Sequence, residues 1–202
     1  MKVWDTAKLG LVLMLYAAAA CVGLAFVYTG TRDTIEERSR LDLEAALKEL
    51  FPGADGFEDI SGAMAGPDGG TGFEKEYAVS RGGNLIGAAI QASGGSYGGP
   101  ITVLVGIKTE GRISRVRIMS HSDTPGLGAN AASPSYYVDK ESRTTFYGQF
   151  TDKAVNDPFE PKNDVIAITA STITSRAVSR IVKTAGEAAA RWLAANATGA
   201  GE

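Results

Sequence analysis

The chain has 202 residues, enough for one domain with a proper hydrophobic core plus appendages. Its formal net charge of −3 gives no electrostatic case for nucleic acid. One cysteine (Cys21) and one histidine (His121) exclude an intramolecular disulfide, cysteine-ligated zinc or iron–sulfur centres, and histidine-based metal clusters.

Residues 1–8 read as a short cytoplasmic segment, followed by a charge-free run from Leu9 to Thr29. That run has the length of a helix crossing the hydrocarbon core, with Trp4 and Tyr28 where interfacial aromatics belong. A signal peptide cleaved after Ala18-Ala19-Ala20, or a lipoprotein box ending at Cys21, are the alternatives. The apolar run continues through Val22, Leu24, Phe26 and Val27, and Ala18 suits the box poorly, so an uncleaved anchor is the reading adopted. Lys2 and Lys8 on one side face Arg32, Arg38 and Arg40 on the other; positive residues alone place the C-terminal side in the cytoplasm.

Thr31 to Phe51 reads as a helix, with Ile35, Leu41, Leu43, Leu47 and Leu50 among charges and Pro52-Gly53 as the stop. Gly62 to Gly72 is a loop. Tyr77-Ala78-Val79 and Leu85 to Ile90 flank Arg81-Gly82-Gly83-Asn84 as a hairpin. Val103, Val105 and Ile107 alternate on a strand, Glu110-Gly111 turns the chain, and Ile113 to Met119 returns. Ser133 to Tyr147 is predicted to be helical around Tyr136 and Phe146. A last helix, about Ser175 to Asn196, carries Val178, Ile181, Val182, Ala185, Ala189 and Leu193 on one face, and residues 197–202 form a frayed tail. Hairpins bounded by helices make this an α+β chain: an anchor at 9–29, a juxtamembrane helix and first strands at 30–90, and the main domain at 91–196.

The most informative stretch is Thr169-Ala170-Ser171-Thr172-Ile173-Thr174-Ser175, five hydroxyl residues entering the last helix. Hydroxyls cap helix N-termini, and that end attracts phosphate, so both an N-cap and an anion site are open readings. Catalysis by Thr172 would need a base, and His121 is the sole imidazole. No Gly-x-Gly-x-x-Gly links a strand to a helix, so there is no dinucleotide fingerprint.

Thr169-Ala170-Ser171-Thr172 resembles the Ser/Thr-Gly-Ala-Thr attachment motif of the covalent-flavin subunits of Rnf and Na+-translocating NADH:quinone reductase complexes. Ala170 stands in place of Gly, and Ile166 in place of an Asp three residues before the motif; Asp164 lies two residues too early to fill that place. Ser96-Tyr97-Gly98-Gly99-Pro100-Ile101 resembles the family's Gly-Tyr-x-Gly-x-Ile opening. His121-Ser122-Asp123-Thr124-Pro125-Gly126-Leu127-Gly128 resembles its Glu-Thr-Pro-Gly-Leu-Gly loop, with Asp123 for Glu. The resemblance covers roughly residues 90 to 180, and chain length favours the RnfG branch of this RnfG/NqrC FMN-binding family over the quinone reductase branch.

What the resemblance implies is a single transmembrane helix followed by an FMN-binding domain of antiparallel strands with flanking helices. FMN would be joined to Thr172 as a phosphoester by a flavin transferase acting from FAD, with Thr169, Ser171, Thr174, Tyr97, Gly98, Thr124, Gly126 and Leu127 as cofactor contacts. The implied role is electron relay within an ion-translocating ferredoxin:NAD+ oxidoreductase. The implied partners are its other membrane and iron–sulfur subunits and membrane lipid. The implied location is the inner membrane, single-pass, with the domain on the periplasmic or outer side. A flavin-free anchored binding module and an anchored hydrolase using Thr172 or a neighbouring Ser are the rival readings.

Overall fold

The computed structural model describes residues 3–64, 66 and 70–196; the expected tail, residues 1–2 of the N-terminal segment and part of the Gly62–Gly72 loop lie outside them. Helix α1 runs unbroken over Val3–Leu50, so the two predicted helices are one. From Ala7 to Asp42 its side chains are exposed, and it is the one helix among the described residues long and apolar enough to cross a membrane. The hydroxyls of Thr29 and Thr31 donate to the carbonyls of Ala25 and Val27, both at 2.8 Å, which hides polar groups at the end of the apolar stretch.

From Ala45 onward the chain forms a second compact unit. Its frame is a five-stranded antiparallel meander: β1 (Gly56–Asp59), β2 (Thr71–Arg81), β3 (Asn84–Gly95), β4 (Pro100–Lys108) and β5 (Ile113–His121), in spatial order β1-β2-β3-β4-β5. The β2–β3 turn uses Gly82 and Gly83 with φ of 57° and 80°, the left-handed pair that a two-residue type I′ hairpin requires.

One face of the sheet buries Ala88, Ile90, Ala92, Ile101, Val103, Val105 and Ile107 in a common core with α2 (Thr172–Asn196). The six apolar residues predicted on one face of that helix are all buried there. Each large aliphatic side chain so buried is worth roughly 1.5–3 kcal/mol. Ile181 seats against Gly94, where a Cβ would lie 3.1 Å from its Cδ1.

The end of α1 also contributes to the domain core. Leu47, Leu50 and Phe51 are buried, and the Phe51 ring lies over Gly87 and Gly106, where added Cβ atoms would come within 2.7 and 2.8 Å of it. The helix end is satisfied locally: Ser114 Oγ donates to the Leu50 carbonyl at 2.6 Å, and Arg81 donates to the carbonyls of Pro52 and Gly53. Arg117 pairs with Glu49.

The helix expected over Ser133–Tyr147 does not form. In its place β6 (Tyr137–Asp139) pairs with β7 (Thr144–Thr145), and a short 3-10 turn follows at Gly148–Phe150. Asp139 accepts from the Glu141 N–H at 2.9 Å and the Ser142 hydroxyl at 2.7 Å, local bonds that compete with a helix ladder. The apolar residues of this region serve an aromatic cluster instead: Phe146 meets Phe150 edge-on at 5.6 Å, and Phe150 stacks on Phe159 at 6.1 Å.

Candidate functional site

Strand register assembles the site. Pairing of Ile101 with His121 sets the β3–β4 turn, Ser96–Gly99, beside the segment that leaves β5, Ser122–Gly128. The second segment is a turn in which the Leu127 N–H donates to the Thr124 carbonyl at 3.1 Å. Pro125 occupies its second position and Gly126, at φ +78°, its third, the residues a type II turn demands.

Asp123 ties the two segments together. Its Oδ2 accepts from Ser96 Oγ at 2.6 Å and its Oδ1 from the Gly98 N–H at 2.7 Å, and the residue is only 6% exposed. Gly128 is required next to it, since a Cβ there would fall 2.6 Å from Thr174 Oγ1 and 2.8 Å from Asp123 Cβ.

The third wall is the start of α2. The Ser175 N–H donates to the Ser171 carbonyl at 3.0 Å, so the helix begins at Thr172, three residues earlier than the apolar periodicity predicts. Ser171 is therefore the N-cap residue and Thr172 the first helical residue. Before it, the Ser171 N–H closes a turn on the Ile168 carbonyl at 3.0 Å, with Ala170 third in that turn at φ +59°. A type II turn prefers Gly at this position, so the backbone explains the Gly of the resembling motif and leaves Ala170 strained.

The abundance of hydroxyls does not cap the helix. Ser175 Oγ donates to the Ser171 carbonyl and accepts from the Ile168 N–H, whereas Ser171 Oγ is buried with no hydrogen-bond partner. The N–H groups of a first helical turn have no intrahelical acceptor, so this end remains competent for an anion.

These three walls enclose a cavity of about 410 Å³ lined by Tyr97, Asp123, Thr124, Leu127, Gly128 and the run Ala170 to Thr174. Its size is that of a small-molecule or cofactor site. Of the residues expected to contact a cofactor, Tyr97, Thr124, Leu127, Ser171, Thr172 and Thr174 line it together. Gly98, Gly126 and Thr169 are not in its lining; the two glycines shape the turns behind it. Gly128, Ala170 and Ile173 also line the cavity and Asp123 ties the two turns, roles that the sequence marks only by placing a glycine and an aspartate within the Asp123–Gly128 motif.

Charge and exposure are uneven around the cavity. Asp123 is the one carboxylic acid among the lining residues, and no Lys, Arg or His belongs to them. Among the described residues from Ala45 onward, the exposed large apolar side chains are Tyr97, Leu127, Ile166 and Ile173, and three of these line the cavity. Gln149 holds Ile166 by both backbone groups, accepting from its N–H at 2.8 Å and donating to its carbonyl at 3.1 Å. His121 ends β5 outside the lining, so no imidazole stands ready to activate Thr172.

The chain is similar to known proteins over most of its length. The model of the FMN-binding domain matches residues 96–187, and that of the RnfG N-terminal region matches residues 1–50. The G subunit of an ion-translocating oxidoreductase complex from Methanosarcina acetivorans is 31% identical over 177 residues, 86% of this chain and 89% of the relative. The G subunit of the proton-translocating ferredoxin:NAD(+) oxidoreductase complex from Clostridium ljungdahlii is 32% identical over 81% of this chain and 80% of its own. Its counterpart in the Na(+)-translocating complex from Acetobacterium woodii is 31% identical over 85% and 86%. With an FMN-binding domain matched over residues 96–187 and relatives matched over most of both lengths, the chain belongs to the RnfG family, the G subunits of the Rnf ion-translocating oxidoreductase complexes.

Proposed function

We propose that this chain is a membrane-anchored flavoprotein subunit that relays electrons in an ion-translocating ferredoxin:NAD+ oxidoreductase complex, through FMN held covalently on Thr172. The observation that carries the attachment is the position of Thr172: first residue of α2, half-buried, in the wall of the cavity, with the unpartnered Ser171 hydroxyl beside it. Bound FMN supplies one- and two-electron redox chemistry.

The residues present fit that group. Thr172 offers the hydroxyl for a phosphoester, and the first-turn N–H groups with Ser171 Oγ and Thr174 offer donors to its phosphate. Tyr97, Leu127 and Ile173 form an apolar lip on which a planar ring can lie. The chain's part is to bind, orient and keep the carrier. A flavin transferase installs it, and other membrane and iron–sulfur subunits exchange electrons with it. The apolar stretch of α1 is a single anchor in the inner membrane, and the domain lies on the outer side.

The test is in-gel fluorescence after denaturation of protein made with the transferase present, followed by peptide mass mapping. One phospho-linked FMN on Thr172 is expected, and Thr172→Ala should lose it while leaving the fold nearly unchanged, because Thr172 is not the N-cap and Ala is the better helix former. Covalent flavin persisting in Thr172→Ala, or found on Thr169 or Thr174, overturns the assignment. Protease cleavage of the domain confined to the cytoplasmic side of sealed vesicles overturns the orientation.

A further inference from the structure

The cavity that receives the cofactor is lined by one carboxyl side chain and by no Lys, Arg or His. Asp123 is buried, both of its oxygens accept hydrogen bonds from neutral donors, and neither is paired with a cation among the described residues. A Cβ built on Gly128 would fall 2.8 Å from both the Cβ and the Cγ of Asp123, which lines the same cavity as Thr172 and Thr174. In a poorly solvated site such a carboxylate acts on its neighbours with little screening, because the effective dielectric is far below that of water. Two neutral hydrogen bonds hold the charge in place without neutralising it.

Resting on the reading that this cavity holds FMN, we infer that Asp123 sets the reduction potential of the bound flavin, holding it down. Electrons added to the flavin enter a cavity whose one side-chain charge is negative and fixed, so reduction costs more than in a neutral pocket. The same carboxylate joins the Ser96–Gly99 turn to the Ser122–Gly128 turn, so its charge is positioned by the fold. Asp123 is a tuning and positioning residue; no bond to substrate is made or broken there.

Asp123→Asn separates the charge from the tie, since the amide is nearly isosteric and its oxygen still accepts a hydrogen bond. The full chain, flavinylated in the presence of the transferase, is titrated spectroelectrochemically. The potential of Asp123→Asn should rise by at least the equivalent of a tenfold change in the two-electron equilibrium, about 30 mV. Ser96→Ala keeps the charge and strips one of its two donors; its potential should stay or fall. Thermal unfolding of each chain without flavin reports whether the tie is retained. A covalent flavin whose potential is unmoved or lowered in Asp123→Asn refutes the inference alone. If Asp123→Asn does not take up flavin, an upward shift in Ser96→Ala refutes it. Wild-type protein that carries no covalent flavin refutes the parent reading, and the inference with it.

Discussion

Replacing Ala170 by glycine isolates the backbone strain at the mouth of the site. Ala170 sits third in the turn closed by the Ser171 N–H on the Ile168 carbonyl, at φ +59°. A residue with a Cβ held in the left-handed region costs roughly 1–2 kcal/mol. Glycine removes that cost but loses about 0.4–1 kcal/mol through the greater freedom of the unfolded chain. The net expectation for Ala170→Gly is a gain of about 0.5–1 kcal/mol, or roughly 1–4 °C in Tm for a domain of this size. Urea unfolding of the full chain in detergent, followed through near-UV dichroism, should show a raised midpoint with an unchanged slope. Ala170→Val, with a branched Cβ at the same φ, should lower it. A midpoint for Ala170→Gly at or below that of the wild type would refute the strain. It would mean that the turn is held by its neighbours at no local cost.

Gly128→Ala drives a Cβ to within 2.6 Å of Thr174 Oγ1 and 2.8 Å of Asp123, so it should cost roughly 1–3 kcal/mol. It should also cut covalent flavin at least tenfold by in-gel fluorescence against protein stain. Asp164 accepts from the N–H groups of Glu160 and Phe159 and pairs with Lys153 at 3.0 Å. Burial pushes its carboxyl up, but the Glu160 N–H, the Lys153 ammonium and the Phe159 N–H outweigh it and hold the pKa below its ordinary 3.8. Its folded pKa being depressed, its contribution is complete above about pH 4 and is lost as pH falls through the folded value. Urea midpoints should therefore fall more steeply below pH 4 for the wild type than for Asp164→Asn; parallel pH profiles would dismiss the effect. The flavinylated chain alone should be reduced by dithionite and only very slowly by NADH; fast, saturable reduction by NADH in stopped flow would make it an enzyme in its own right.

The sequence is most readable where side-chain pattern and backbone demand coincide. Gly82-Gly83 announces its turn because two adjacent left-handed residues leave almost no alternative to glycine. The α2 face from Val178 to Leu193 shows because a helix on a sheet buries one stripe. Ser133–Tyr147 misleads for the opposite reason: its apolar residues are spaced for an aromatic cluster around Phe146 and Phe150, while Asp139 and Ser142 bond locally. At the site, resemblance singles out Thr172 as the proposed acceptor, but the clamp between Asp123 and Ser96 spans 27 positions. That contact follows from strand register, which no local window contains. The helix start is misjudged because hydroxyl residues carry no apolar period, and the backbone bond from Ser175 to Ser171 alone fixes it.

The notch floored by Gly87 and Gly106 decides where this protein can be severed from its anchor. A soluble fragment beginning just after Phe51 loses the side chains of Leu47, Leu50 and Phe51 from the core in one cut. Emptying such positions costs about 2–5 kcal/mol for each leucine and 3–5 for the phenylalanine, together comparable with the roughly 5–15 kcal/mol that holds a typical domain. Glycines that make room for the ring would then leave bare backbone open to water. A fragment intended for flavinylation or crystallisation should start upstream of Ala45, keeping the last turns of a helix whose other end is made for lipid.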